Sequence, residues 1–519
     1  MSEQNQLTSA QIQLLSDYMA GEYNAAEILQ QCRHSPAFKR ALVEQVGTDR
    51  LLNIKLAATN SLTKEAIMAR ISPSRYQQQK TIKRWSRWGY GIAAGVLLMV
   101  SILMFNSYQI NSNRLVLVTK VAASVSASQP LLAGRTLQVG RLTLDSGYSE
   151  LKLNNGVILV LEAPVELNIK SNDLVILTKG KLVAKVPENA IGFKVATPSS
   201  EIIDLGTEFA VDVNEVGDSQ IHVLDGEVKA RGKQSQRFEH LHKDQGLSIS
   251  MSQKIARIKS QPHLFMRVLP GKSADKPDYL HWSFEQKTAM GFVSSGTMKN
   301  ANAFPAIDRS EQEGGAALKH ESGVFGKAVY FNGINNWLET EFPGIAGNHP
   351  RTLAFWLKVP ADFDIHQAFG IVSWGVQKNY ASWQISPNPY PQNGPLGRLR
   401  VGTYNAQIVG STDLRDGQWH HIAVVMYGGQ SSDISTHVLI YVDGQLEKTH
   451  GKSIARLNTQ ITDQASRPLS LGRNIGYREE DVYVRDKFFR GAVDELFVFA
   501  AALDQQQIIR LMKQNKIEK

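Results

Sequence analysis

The sequence predicts a mainly all-β protein, with a small helical domain and one transmembrane helix ahead of two β domains. Three observations predict it. From about residue 116 onward the chain is a succession of short apolar runs that alternate with polar residues and are parted by Gly, Asn or Asp. That is the period-2 signature of strands with one face in a core. Residues 7–70 instead repeat apolar side chains at helical spacing. Between the two lies an uncharged apolar run.

At 519 residues the chain is too long for one core, and its 42% hydrophobic and 20% charged content is that of folded domains. The divisions expected are residues 1–88, 89–110, 111–262 and 272–519. The net charge of +9 is concentrated, because Lys64–Trp88 holds seven Lys or Arg against Glu65 alone. A phosphate-tracking surface would spread its cations, so nucleic acid is not an expected partner.

The helical domain is read from Leu7, Ile12, Leu15 and Met19, then Ala25, Ile28 and Leu29, then Phe38, Leu42 and Val46. Ser9 and Asn24 fit as N-caps, and Glu27 stands three residues after Asn24 in capping-box spacing. Cys32 is the single cysteine. It excludes a disulfide within the chain and a zinc site on paired thiolates, so Cys32 and His34 read as helix-end residues.

Gly89–Phe105 contains 17 residues without a charge, and the uncharged stretch continues to Asn113. About 20 such residues cross a bilayer, and Trp85, Trp88, Tyr90 and Tyr108 supply interfacial anchors. A buried core helix seldom carries such anchors and a one-sided basic flank. The run begins too late for a signal peptide. Seven cations precede the span, whereas Arg114 and Lys120 alone follow closely. The expected topology is therefore single-pass with a cytoplasmic N-terminus and the β domains outside.

In the first β domain, Asn155-Gly156, Lys179-Gly180 and Asp225-Gly226 read as tight turns where glycine accepts a positive φ. Glu201, Asp204 and Glu208 crowd into eight residues. Strand geometry keeps Glu201 off the face of the other two and Gly206 interrupts the remaining pair, so no glycosidase dyad is expected. The series Val195-Ala196-Thr197-Pro198, Asp204-Leu205-Gly206-Thr207-Glu208-Phe209-Ala210-Val211 and His222-Val223-Leu224-Asp225-Gly226-Glu227-Val228 resembles the FecR family over roughly 140 residues. The resemblance implies a bacterial inner-membrane protein, with a periplasmic or external signalling module behind one membrane helix and a cytoplasmic head that regulates a sigma factor. The Leu15-to-Tyr23 stretch with the helix after it resembles the helical head of anti-sigma factors.

Beyond Pro270–Pro277 lie six of the eight tryptophans. Lys327-Ala328-Val329-Tyr330-Phe331-Asn332-Gly333, Leu353-Ala354-Phe355-Trp356, Trp419-His420-His421-Ile422 with Tyr441-Val442-Asp443-Gly444, and Gly491-Ala492-Val493-Asp494-Glu495-Leu496 resemble the laminin-G-like, concanavalin A-like jelly roll. Its catalytic relatives carry Glu-x-Asp-x-x-Glu on one strand, which is missing here, so no enzyme is expected. The resemblance implies one cofactor, a structural calcium on Glu285 and Asp494; Asn335-Asn336 stand where the family often has Asp-Asp. A sugar platform is expected from Trp374, Trp383, Tyr390 or Tyr404 around the 388–397 loop, with a glycan or an envelope protein as external partner. The other reading open at this point is an envelope-anchored carbohydrate-binding or adhesion protein without sigma-factor control.

Overall fold

The computed structural model describes residues 115–517 apart from 366–369, 430–431 and 476–487, together with residues 8, 10–14, 25–35, 37–38 and 42. The chain forms two compact units, Met1–Leu103 and Met104–Lys519. In the first, the Thr8 hydroxyl accepts the Gln11 amide at 3.3 Å while the Gln11 side chain accepts the Thr8 amide at 3.1 Å. That reciprocal pair is a capping box, so the helix over 10–14 starts at Thr8, one residue ahead of the expected cap. Ser9 and Asn24 themselves lie outside the described residues. A second helix, Ala25–His34, holds Cys32 and His34, and the His34 ring bonds the Gln30 carbonyl at 2.8 Å. Ile28, Phe38 and Leu42 are buried.

Among the described residues no helix is long and apolar enough to cross a membrane. The expected span 89–110 lies outside them.

In the second unit, strands from Leu115 to Lys259 make one 14-stranded sheet that wraps a core including Leu151, Leu161, Leu182, Phe209, Val211 and Val223. Asn155-Gly156 is a turn as expected. Lys179-Gly180 is not: Gly180 lies inside the strand Leu174–Lys185, at φ +97°, where a Cβ would sit 2.1 Å from the Pro164 carbonyl. The strand bulges there against its neighbour, so the glycine marks a close approach rather than a reversal. Gly226 likewise turns a corner between strands that do not pair with each other.

Residues 279–499 form a sandwich of a nine-stranded and a seven-stranded sheet among the described residues. Between them sit Trp282, Phe331, Phe355, Trp374, Trp383, Val424 and Val498. The closing strand Arg490–Phe499 runs between Tyr279–Thr288 and Arg351–Lys358, with Val498 opposite both Leu280 and Leu353.

Central strands of both domains are buried on both faces. Leu159 and Leu161 enter the first domain's core, while Val160 between them enters a third cluster; Leu182, Ala184 and Val183 repeat the pattern. In the jelly roll, Ile422, Val424, Leu496 and Val498 face the sandwich, while Ala423, Val425, Phe497 and Phe499 face that same third cluster. The outer faces of the two sheets therefore share one apolar layer. Phe265, Met266 and Leu269 of the connecting segment fill it, together with Ile508 and Leu511 of the helix Gln505–Gln514.

Candidate functional site

Three places in the second unit hold side chains arranged for more than packing: the layer joining the β domains, the loop 323–327 beside the closing strand, and one rim of the jelly roll. The joining layer is laced by polar contacts from the connecting segment. Lys181 Nζ donates to the Leu264 carbonyl at 3.1 Å, and the Met266 amide reaches Glu162 at 3.4 Å. Arg267 grips Glu208 with Nε at 2.8 Å and an Nη at 2.7 Å. This two-pronged pairing with Glu208 raises the Arg267 pKa against the opposing effect of burial. On the other side the Tyr427 hydroxyl meets the Val268 carbonyl at 2.7 Å, and Gln507 donates to the Ala274 carbonyl at 2.8 Å. His222 rests against Phe265 with ring centroids 5.1 Å apart and accepts the Gln261 amide at 3.3 Å. Burial lowers its pKa to about 4, so this imidazole is neutral at physiological pH.

The three clustered carboxylates have separate tasks. Glu201 pairs with Arg231 at 2.6 Å, and Glu208 belongs to the joining layer. Asp204 is fully buried and accepts the Gly206 amide at 2.8 Å and the Thr207 hydroxyl. Burial raises its pKa, opposed by those hydrogen bonds. The Asp-Leu-Gly-Thr sequence is thus a self-capped turn between two strands, as Asx turns are.

Asp494 and Glu495 are neighbours that serve opposite sides of the closing strand. A positive φ of 52° at Glu495 and a register shift in pairing with 354–356 part them. Glu495 bonds His281, whose ring stacks on Phe497 at 3.8 Å. Asp494 Oδ2 accepts the Val324 and Phe325 amides at 2.8 and 3.1 Å, while Glu285 accepts the Lys327 amide. The two residues expected to bind calcium are therefore brought to one glycine loop, 323–327. Asp494 Oδ1 is buried without a hydrogen-bond partner. Burial foremost, with the nearby Glu495 charge, pushes the Asp494 pKa up to about 7 against the pull of the amides. An orphaned oxygen and an electrostatically unhappy carboxylate suit a hard cation that takes oxygen ligands. Among the described residues no group of three or more His, Cys, Asp or Glu is gathered for a metal, so the remaining ligands would be carbonyls and water.

The expected sugar platform is dispersed. Trp374 and Trp383 are fully buried and face the sandwich core, ring centroids 6.0 Å apart. The Arg351 guanidinium lies 5.8 and 5.2 Å from the two rings and donates to the carbonyls of Ile345, Ala346, Gly347 and His349. Burial lowers the Arg351 pKa to about 9. These tryptophans and Arg351 pin a loop and offer no ring face to a ligand. Strand alternation explains why: on Ser382–Pro387, Trp383 and Ile385 share the inward face.

Tyr404 is exposed, but not around the 388–397 loop. Gln384 pairs with Gly402 and Pro387 with Leu399, which puts Tyr404 at the opposite end of that strand pair. Tyr390 stays on the 388–397 loop, which Asn388 pins through the carbonyls of Tyr390, Gly394 and Pro395. Beside Tyr404 stands Tyr380, whose amide donates to the Tyr404 carbonyl at 3.1 Å. No sequence signal marks Tyr380, since its neighbourhood is created by pairing across two separate turns.

Comparison with known proteins agrees with both domains. Residues 142–229 match the family described as FecR protein, and residues 332–509 match the one described as the concanavalin A-like lectin/glucanases superfamily. Similar solved structures include domain 4 of AbnA, an extracellular arabinanase from Geobacillus stearothermophilus, in complex with arabinotriose. It is 22% identical, with 46% of this chain and 99% of that one covered and a TM-score of 0.33. A candidate anti-sigma factor from Parabacteroides distasonis is 12% identical, with 37% and 98% covered and a TM-score of 0.22. A botulinum neurotoxin serotype D/C binding domain is 11% identical, with 46% and 52% covered and a TM-score of 0.30. No curated protein matches the chain.

Proposed function

We propose, for a chain that carries a FecR segment followed by a concanavalin A-like segment, a single-pass inner-membrane regulator of an extracytoplasmic-function sigma factor. Residues 1–88 bind the sigma factor in the cytoplasm, residues 89–110 cross the membrane, and the β domains receive a glycan or protein signal outside. The β domains bind and do not catalyse. The observation that supports a relay is the apolar layer shared by the two β domains, because a ligand held by the jelly roll then acts on the FecR-like domain without a slack hinge.

Co-purification of the full-length chain with each extracytoplasmic-function sigma factor of its host tests the reading. One stable complex, lost when residues 1–88 are deleted, is expected; no complex with any of them overturns sigma-factor control. Reporter fusions test the topology: alkaline phosphatase joined after residue 120 is active, and joined after residue 85 it is silent.

In the jelly roll, Glu285 and Asp494 hold a calcium ion that neutralises the buried Asp494 and fastens loop 323–327. Added calcium raises the melting temperature, and Asp494→Asn abolishes the rise. A calcium-independent melting curve for the wild type removes the ion from this reading. The exposed tyrosines at the rim also favour a second reading, an anchored carbohydrate-binding or adhesion protein, in which deletion leaves transcription unchanged.

A further inference from the structure

The rim of the seven-stranded sheet carries two strained, exposed turns side by side. The turn after Val372–Gly375 places Tyr380 at φ +62°, and the turn after Leu399–Thr403 places Asn405 at φ +68°. Left-handed backbone is costly for a ring-bearing residue, and glycine is the residue that takes it freely. Tyr380 nonetheless holds it and remains 36% exposed, beside Tyr404 at 43%. Strain kept at a residue that stays exposed points to use of the displayed group.

Tyr380 is held from both sides, by its amide on the Tyr404 carbonyl at 3.1 Å and by its own carbonyl on the Asn458 amide at 3.2 Å. Next to the rings, the Asn405 amide nitrogen donates to the Asn379 amide oxygen at 2.5 Å. Each of those exposed side chains keeps one further amide group without a hydrogen-bond partner among the described residues. The adjacent Lys378 is paired with Asp463 at 2.5 Å.

We propose that this rim is a binding site for a neutral oligosaccharide, with sugar rings on Tyr380 and Tyr404 and hydroxyls on Asn379 and Asn405. The inference rests on the reading of the jelly roll as the ligand-binding part of the protein, and it names the place and the ligand class. An uncharged patch of flat rings beside open amide donors and acceptors complements a molecule with an apolar C–H face and a hydroxyl edge, which a sugar ring has. A charged ligand would find no uncompensated partner here. An extended peptide would leave its own backbone groups facing ring surfaces.

The full-length protein is titrated calorimetrically with maltotriose, cellotriose, xylotriose, arabinotriose and chitotriose. At least one is expected to bind with a Kd between about 1 μM and 1 mM. Tyr380→Gly and Tyr404→Ala each weaken that binding about tenfold or more. Tyr380→Gly leaves the melting temperature unchanged or higher, because glycine accepts the φ of +62° freely. Asn379→Ala weakens binding about threefold. Absence of binding by all five trisaccharides up to about 5 mM overturns the proposal. So does undiminished binding by the Tyr380→Gly, Tyr404→Ala double variant, or capture of a peptide or an anionic glycan alone. Each of these results leaves a sigma-factor complex untouched, so the two readings fail separately.

Discussion

The outer face of the jelly roll's nine-stranded sheet and the rim turns of its seven-stranded sheet end up in opposite situations. On the nine-stranded sheet, Ala354, Ala423, Val425, Leu439, Tyr441, Phe497 and Phe499 are covered by the FecR-like domain and the connecting segment. On the rim of the seven-stranded sheet, Tyr380, Asn379, Tyr404 and Asn405 stand in solvent on strained turns. The first face spends aromatic rings on stability; the second displays them at a cost. Burial therefore separates the residues that hold the two domains together from those available to a ligand.

The comparison breaks most visibly at Phe499, which is fully buried in the joining layer. Phe499→Ala is expected to cost about 3–5 kcal/mol in chemical denaturation. If the loss is below about 1 kcal/mol, the layer is not a true core. Next comes Arg267, half-buried against Glu208. Arg267→Ala leaves a partly buried carboxylate short of its partner and is expected to cost about 1–3 kcal/mol. In calorimetry it should split one melting transition into two as the domains uncouple; a single unshifted transition would show that the ion pair does not tie them.

Tyr404→Ala is the counterpart on the open rim. It should change stability by no more than about 0.5 kcal/mol, as surface substitutions do, while binding falls. A pH-dependent effect is expected at His420, which bonds Asp443 at 2.8 Å and Asp416 at 3.2 Å. Burial lowers its pKa, but the Asp443 and Asp416 hydrogen bonds outweigh that, and the net shift is upward. A raised native pKa means stability that is full below the unfolded value of about 6.5 and is lost as pH climbs through the folded value. The wild type should thus lose up to about 1 kcal/mol between pH 6 and pH 9 that His420→Gln does not lose. Parallel pH profiles for the two would remove His420 from the account.

Much of the fold was legible because strand alternation and turn glycines are local signals. The FecR-like series around Asp204-Leu205-Gly206-Thr207 is a turn that caps itself, so its physical logic is contained in four consecutive residues. The resemblance singled out Glu285 and Asp494, and both bond amides of the loop 323–327. Gly180 misled because a bulge and a turn both call for a glycine, and only the partner strand decides between them. The tryptophans misled for a related reason: exposure depends on which face of a strand looks at the other sheet, and Trp374 and Trp383 look inward. The joining layer did leave a trace. The runs Ile422–Tyr427, Val438–Val442 and Leu496–Phe499 are continuously apolar, which belongs to strands covered on both sides rather than one. Tyr380 left none, since its partner at Tyr404 and its neighbour at Asn458 come from distant stretches.

The lacing of the joining layer also bears on the order in which the external unit assembles. Its contacts connect residues far apart in the chain: Met266 with Glu162 across 104 residues, Tyr427 with Val268 across 159, and Gln507 with Ala274 across 233. Each requires the closing of a long loop, and such closures gain nothing until the surfaces they join already exist. The two β domains should therefore acquire their own cores first and dock afterwards. Pulse-labelled hydrogen exchange during refolding would then protect the amides of Leu182 and Val424 before that of Met266.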